Sequence, residues 1–139
     1  MAEMGVEGYA SLWHVADLNR DVTVKGCFEA SLRARSVGGV RMLHQHEDAP
    51  VGVWDEMLED ERGLFVRGRV MDWSAGARLC QSLVKAGALD GLSIGFRAVA
   101  ARRDGALRVL TTVDLWEVSL VTFPMLPGAR LSRSGSRSS

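Results

Sequence analysis

Strand-like runs follow one another along this chain with turns between them, and only two stretches read as helix. That lack of a βαβ rhythm is what most limits the fold. Residues 5–15 mix small and bulky residues as a strand does, a polar turn covers Asp17 to Asp21, and Val22 to Val24 forms a short strand. Residues 27–35 fit one short helix, and Gly38-Gly39 breaks the chain. In the strand that follows, Val40, Met42 and His44 share one face and Arg41, Leu43 and Gln45 the other, with His46 at or just past its end. Val51 to Leu58 and Leu64 to Met71 flank a polar turn, Glu59 to Gly63, as the arms of a hairpin. The clearest helix starts at a cap on Asp72 or Ser74, carries Leu79, Cys80, Leu83 and Val84 as a core-facing stripe, and stops at Gly87. Strands resume over Leu92–Ala100, Ala106–Thr112 and Asp114–Phe123, with Arg102 to Gly105 as a turn. About seven strands and two helices in this order predict a mostly antiparallel β-barrel or sandwich with helices packed outside.

The chain has 139 residues, enough for one core. A single domain over 1–130 is expected, with a disordered Ser/Arg-rich tail over 131–139. Lys plus Arg number 17 and Asp plus Glu also 17, so there is no electrostatic case for binding nucleic acid or an anionic membrane. Cys27 and Cys80 stand in no metal or redox spacing and fit a reducing compartment better than a disulfide scaffold. The start of the chain lacks a secretion signal, and no apolar run approaches the ~20 residues that span a bilayer. These features predict a cytoplasmic globular domain.

The chemistry centres on Gly91-Leu92-Ser93-Ile94-Gly95. A literal G-x-S-x-G suggests an α/β-hydrolase elbow, in which a strand leads to the serine and a helix follows, with the histidine later in the chain. Here the helix precedes Ser93, and His14, His44 and His46 all lie before it, so that fold is rejected. The serine survives as a nucleophile, because triads recur on unrelated folds in any chain order. A serine hydroxyl needs a base, and His46, beside a turn, can project into a cleft. A carboxylate should orient the imidazole. Glu117 lies in the apolar run Leu115 to Val121, where an unpaired charge is costly, so it wants a partner; Asp114 is the alternative. Blander readings stand beside these. A serine between glycines is commonly a turn residue. Glu117 could pair with Arg67 or Arg97, and His44-x-His46 with Glu47 or Asp48 could hold zinc if His14 came close.

The succession of segments is more distinctive than any of them alone. Gly8-Tyr9-Ala10-Ser11, Lys25-Gly26-Cys27-Phe28, Arg41 to Glu47, Pro50-Val51-Gly52, Glu59 to Val66, Gly91 to Phe96 and Glu117 to Val121 with Pro124 follow in that order. The order and spacing, over roughly residues 5 to 130, resemble the prohead proteases of tailed bacteriophages, which are capsid-maturation serine peptidases. The resemblance implies a herpesvirus-assemblin-like fold, a closed antiparallel β-barrel of about seven strands surrounded by helices. It implies Ser93 as nucleophile, His46 as general base and Glu117 as the acid; the herpesvirus enzymes use a second histidine, for which only His14 or His44 is available. By analogy with the paired arginines of those enzymes, the loop around Arg102 and Arg103 would help hold the oxyanion. The implied substrate is the scaffolding segment of the major capsid protein, and the protease's own tail, cut inside a procapsid in the host cytoplasm without cofactor or metal. Herpesvirus relatives are active as dimers, so a homodimer is one implied assembly, though no exposed apolar helix in the sequence demands a partner. Many relatives run on past the last strand, and a short chain would suit compact phage-like particles such as gene transfer agents.

Overall fold

The computed structural model of the chain describes residues 3–132. Seven strands and two α-helices are formed among them: β1 (Met4–Leu12), β2 (Asp21–Thr23), α1 (Glu29–Arg35), β3 (Arg41–His44), β4 (Gly52–Glu59), β5 (Gly63–Val70), α2 (Ala75–Lys85), β6 (Gly91–Asp104) and β7 (Leu107–Val121), with a 3₁₀ turn at Val37–Gly39. The polar hairpin forms as its residues dictate. Asp60 turns its carboxylate back on the Arg62 and Gly63 N–H groups at 2.8 and 3.1 Å, closing the β4–β5 turn. Glu59 accepts from the Gly26 and Phe28 N–H groups and so ties the approach to α1 to the end of β4.

Ser74 caps α2 by accepting from the Ala77 N–H at 3.0 Å, and Gly87 follows the helix at a φ of 77°. The core-facing stripe differs from expectation at Leu79, while Cys80 is buried and Leu83 and Val84 pack half-buried against the core. Ala77, Cys80 and Gln81 point inward and Leu79 is 53% exposed. One residue of helix rotates by about 100°, so a face centred on 77, 80 and 81 turns position 79 outward. Gln81 earns its buried place by donating to the Val70 carbonyl at 2.9 Å. Cys27 and Cys80 are fully buried; burial pushes their thiols up to about 12 and about 11, so both stay protonated and inert near neutral pH.

The strands form one sheet in the order β1-β5-β4-β3-β7, with β6 along one edge of β7 and β2 and β3 sharing the other. The β1–β5, β5–β4, β4–β3 and β6–β7 pairs are antiparallel, whereas β2 and β3 run parallel to β7. Phe28, Met42, Leu64, Val66, Leu92 and Leu120 are among the side chains that fill the hollow of the curled sheet.

The sheet is not the closed seven-stranded barrel that the resemblance implied. It is a half-barrel, open and curled. Closure needs a hydrogen-bonded ladder between the two edge strands, and none joins β1 to β6 among the described residues. The chain that follows β7 takes up the gap. Leu92 N–H donates to the Ala129 carbonyl, Leu131 N–H to Asp90 and Ser132 N–H to Glu7, leaving only single bridges from Gly8 to Leu131 and from Gly91 to Arg130. The approach is close enough that a Cβ on Gly8 would lie 2.3 Å from the Arg130 carbonyl oxygen. Residues 131 and 132 of the expected tail are thus paired, and 133–139 lie outside the described residues.

Candidate active site

Three adjacent strands assemble the site, with β7 in the middle. Ser93 on β6 stands directly across from Ser119 on β7, and Gly95 across from Glu117. On the other edge of β7, Leu43 lies beside Ser119 and His44 beside Leu120. Here β3 stops and the chain turns sharply. Gln45 and His46 both take left-handed backbone conformations, at φ 56° and 61°, which each disfavour an L-residue by about 1–2 kcal/mol. Hydrogen bonds offset that strain. Gln45 N–H donates to the Leu120 carbonyl. The Gln45 side-chain amide both donates to Thr122 Oγ1 at 2.8 Å and accepts from the Thr122 N–H at 3.2 Å. The His46 N–H donates to Ser119 Oγ at 3.1 Å.

The turn lays the imidazole of His46 against Glu117, with Nδ1 2.5 Å from Oε2. The carboxylate is almost wholly buried at 5% exposure, while the imidazole is 44% exposed. The buried charge is satisfied from both sides, because Ser119 Oγ donates to the other carboxylate oxygen at 2.7 Å. Room for the carboxylate comes from Gly95: a Cβ there would sit 2.2 Å from Glu117 Oε2. A β-bulge at Trp116 precedes the acid and shifts the β6–β7 register from Gly95–Glu117 to Phe96–Leu115. With Nδ1 facing the carboxylate, Nε2 is the ring nitrogen left for proton transfer.

His46 and Ser93 line one cavity of about 150 Å³, walled by Leu92, Phe96, Leu110 and Met125 and, on its polar side, by Ser11 and Thr23. Ser93 is 8% exposed, and its hydroxyl takes no hydrogen bond among the described residues. Catalytic hydrogen bonds of this kind commonly tighten only around substrate. The structure therefore brings His46 and Glu117 into contact and puts Ser93 on the same cavity as His46.

The other expected participants lie elsewhere. Asp114 pairs with Arg35 at 2.8 Å, and that guanidinium holds its carboxyl below the usual carboxylate range. Arg67 is bonded to Glu56, and Arg97 stands across from Asp114, so neither takes Glu117. His14 is exposed and neither it nor His44 lines the cavity. Among the described residues no three His, Cys, Asp or Glu side chains gather as a metal site. Arg102 and Arg103 belong to β6 rather than to a loop and do not line the cavity with Ser93. Ser119 is the participant that sequence reasoning missed; the signal was present, since in Glu117-Val118-Ser119 the period of two puts the first and third residues on one face.

A serine and an imidazole on one cavity, with a buried acid behind the imidazole, is the side-chain set that a serine peptidase uses. The fold resembles the bacteriophage T4 capsid assembly protease, with a TM-score of 0.67 and 16% identity over 84% of this chain and 80% of that one. It also resembles the KSHV protease solved with a hexapeptide phosphonate inhibitor, with a TM-score of 0.63 and 13% identity over 93% of this chain and 64% of that one. The varicella-zoster virus protease gives a TM-score of 0.56 and 18% identity over 94% and 63%. The family model described as Caudovirus prohead serine protease matches residues 1–138, and the chain belongs to that family. It is 34% identical over 125 residues to the prohead protease of Enterobacteria phage HK97, covering 85% of this chain. The chain spans about half, 54%, of that relative's length. No helix among the described residues is long and apolar enough to cross a membrane.

Proposed function

We propose that the chain is a serine endopeptidase that cleaves the scaffolding segment of the major capsid protein, and its own tail, during procapsid maturation in the host cytoplasm. His46 Nε2 takes the proton of Ser93 as Oγ attacks the peptide carbonyl. The carbon–nitrogen bond then breaks, the leaving amine takes that proton, and His46 next activates the water that hydrolyses the acyl-enzyme. Glu117 holds the imidazole in the Nδ1–H tautomer and stabilises the imidazolium, and Ser119 fixes both the carboxylate and the turn that carries His46. All three proposed triad side chains come from one chain.

The observation that carries this reading is the 2.5 Å contact of His46 Nδ1 with a buried Glu117, on the cavity that Ser93 also lines. Membership of the prohead protease family supports a capsid protein as the substrate. The test is coexpression of the chain with the capsid protein of the same particle, read by intact-mass spectrometry. The wild-type chain should yield a truncated capsid protein and Ser93→Ala the uncut one. Equal processing by both would reject the assignment. An uncut capsid protein in both, with the chain bound to it, would instead make the chain an assembly scaffold.

A further inference from the structure

The arginines at the turn of the β6–β7 hairpin are left without a role by the site above, and their arrangement is unusual. Arg103 stands directly across from Arg108 in the ladder. Like charges in that position destabilise a strand pair. A third guanidinium belongs to Arg20, whose carbonyl accepts the Arg108 N–H at 2.9 Å and whose backbone is left-handed at φ 63°. The three arginines line one open pocket with Asn19, Asp21 and Ala106. Its single carboxylate is already committed, because Asp21 takes Arg108 through both oxygens at 2.8 and 2.9 Å. Asp17, behind it, turns its carboxylate to the Asn19 and Asp21 N–H groups. Arg102 and Asp104, the neighbours of Arg103, fall on the other face of the strand. Arg20 and Arg103 thus have no acidic partner among the described residues.

We infer that this pocket is a substrate subsite for acidic side chains, aspartate or glutamate, of the segment being cut. The inference rests on the proposed peptidase reading. Asn19 and Asp21 line both this pocket and the cavity of Ser93 and His46, so the two are neighbours across one wall. Ser93 and Arg103 stand ten positions apart on β6. At about 3.3 Å per residue, an extended peptide bound at Ser93 reaches the pocket within about ten residues of its scissile bond. A carboxylate there would complete the fork of Arg103 or Arg20 and relieve the Arg103–Arg108 repulsion. Nucleic acid fits less well, since its backbone needs an extended positive face and this chain carries no net charge.

Fluorescence anisotropy of the full chain with three labelled probes tests this without requiring catalysis: an octaglutamate peptide, an octalysine peptide and a single-stranded octanucleotide. The octaglutamate should bind and the octalysine should not. Arg103→Glu and, separately, Arg20→Glu should each weaken octaglutamate binding about tenfold, while Arg103→Glu, which sets a carboxylate across from Arg108, should leave the melting temperature unchanged or raised. Unchanged octaglutamate binding in both variants, or tighter binding of the oligonucleotide than of octaglutamate, would overturn the subsite. In coexpression, Arg103→Glu should slow capsid-protein cleavage with fluorophosphonate labelling of Ser93 unaltered. Absent labelling in the wild-type chain would instead count against the peptidase reading.

Discussion

At its open end the β6–β7 hairpin buries Gly91, Leu92 and Ser93 beside Glu117 to Val121, whereas at its turn every residue from Val99 to Ala106 stands in solvent. The two ends also treat charge differently. Around Glu117 a buried acid is met by an imidazole on one oxygen and a hydroxyl on the other. Around Arg103 the facing residue is another arginine, Arg108, which Asp21 already pairs, and no acid among the described residues meets Arg103 itself. The comparison separates two tasks that one pair of strands can perform. A buried carboxylate needs fixed partners, and in its dry setting each bond is electrostatically strong. A recognition surface needs charge left uncommitted until something binds.

The sharpest way to break the buried end is Ser93→Ala, which should lower cleavage at least ~1,000-fold with the fold intact, measured as cleavage rate and melting temperature. Glu117→Gln keeps the shape and removes the charge that favours the Nδ1–H tautomer. A fall in kcat of ~100- to 10,000-fold is expected, and activity near wild type would exclude Glu117 from the relay. Gly95→Ala puts a methyl group into the space of the carboxylate. It should displace Glu117, lower kcat and destabilise the fold by about 1–3 kcal/mol by chemical denaturation. Ser119→Ala leaves the His46 N–H and one Glu117 oxygen without their partner. About 1–2 kcal/mol of stability should go with it, together with a fall in kcat at unchanged KM and partial rescue by Ser119→Thr. Asp114→Asn should have the smallest effect, with cleavage unchanged. Because Arg35 holds the Asp114 carboxyl down, the pair stabilises the fold above the unfolded carboxylate range and loses that contribution as pH falls through the lowered value. The variant should therefore flatten the acid limb of the stability curve.

Much of the site was legible because it depends on local signals. A turn after Gln45 frees His46 from the strand, an acid within Leu115 to Val121 requires a partner, and alternation could have added Ser119. What was hidden depends on long-range geometry. Gly95 reads as half of a serine motif, yet its contact is the carboxylate of Glu117, 22 positions on in the chain. The bulge at Trp116 is hard to read in a run as apolar as Leu115 to Val121. The open sheet was missed for the same reason: residues 129–132 look like the beginning of a polar tail, and only their pairing with Glu7, Gly8 and Gly91 shows that they occupy the gap where a barrel would close. Arg102 and Arg103 were read by analogy with another enzyme's loop; the ladder carries them instead to the far end of β6.

Peptide mapping after treatment with a fluorophosphonate probe tests the central claim most directly. The account predicts one adduct, on Ser93, formed slowly in Glu117→Gln and not at all in His46→Ala. An adduct on another serine, or equal labelling of Ser93 in wild type and His46→Ala, would contradict it.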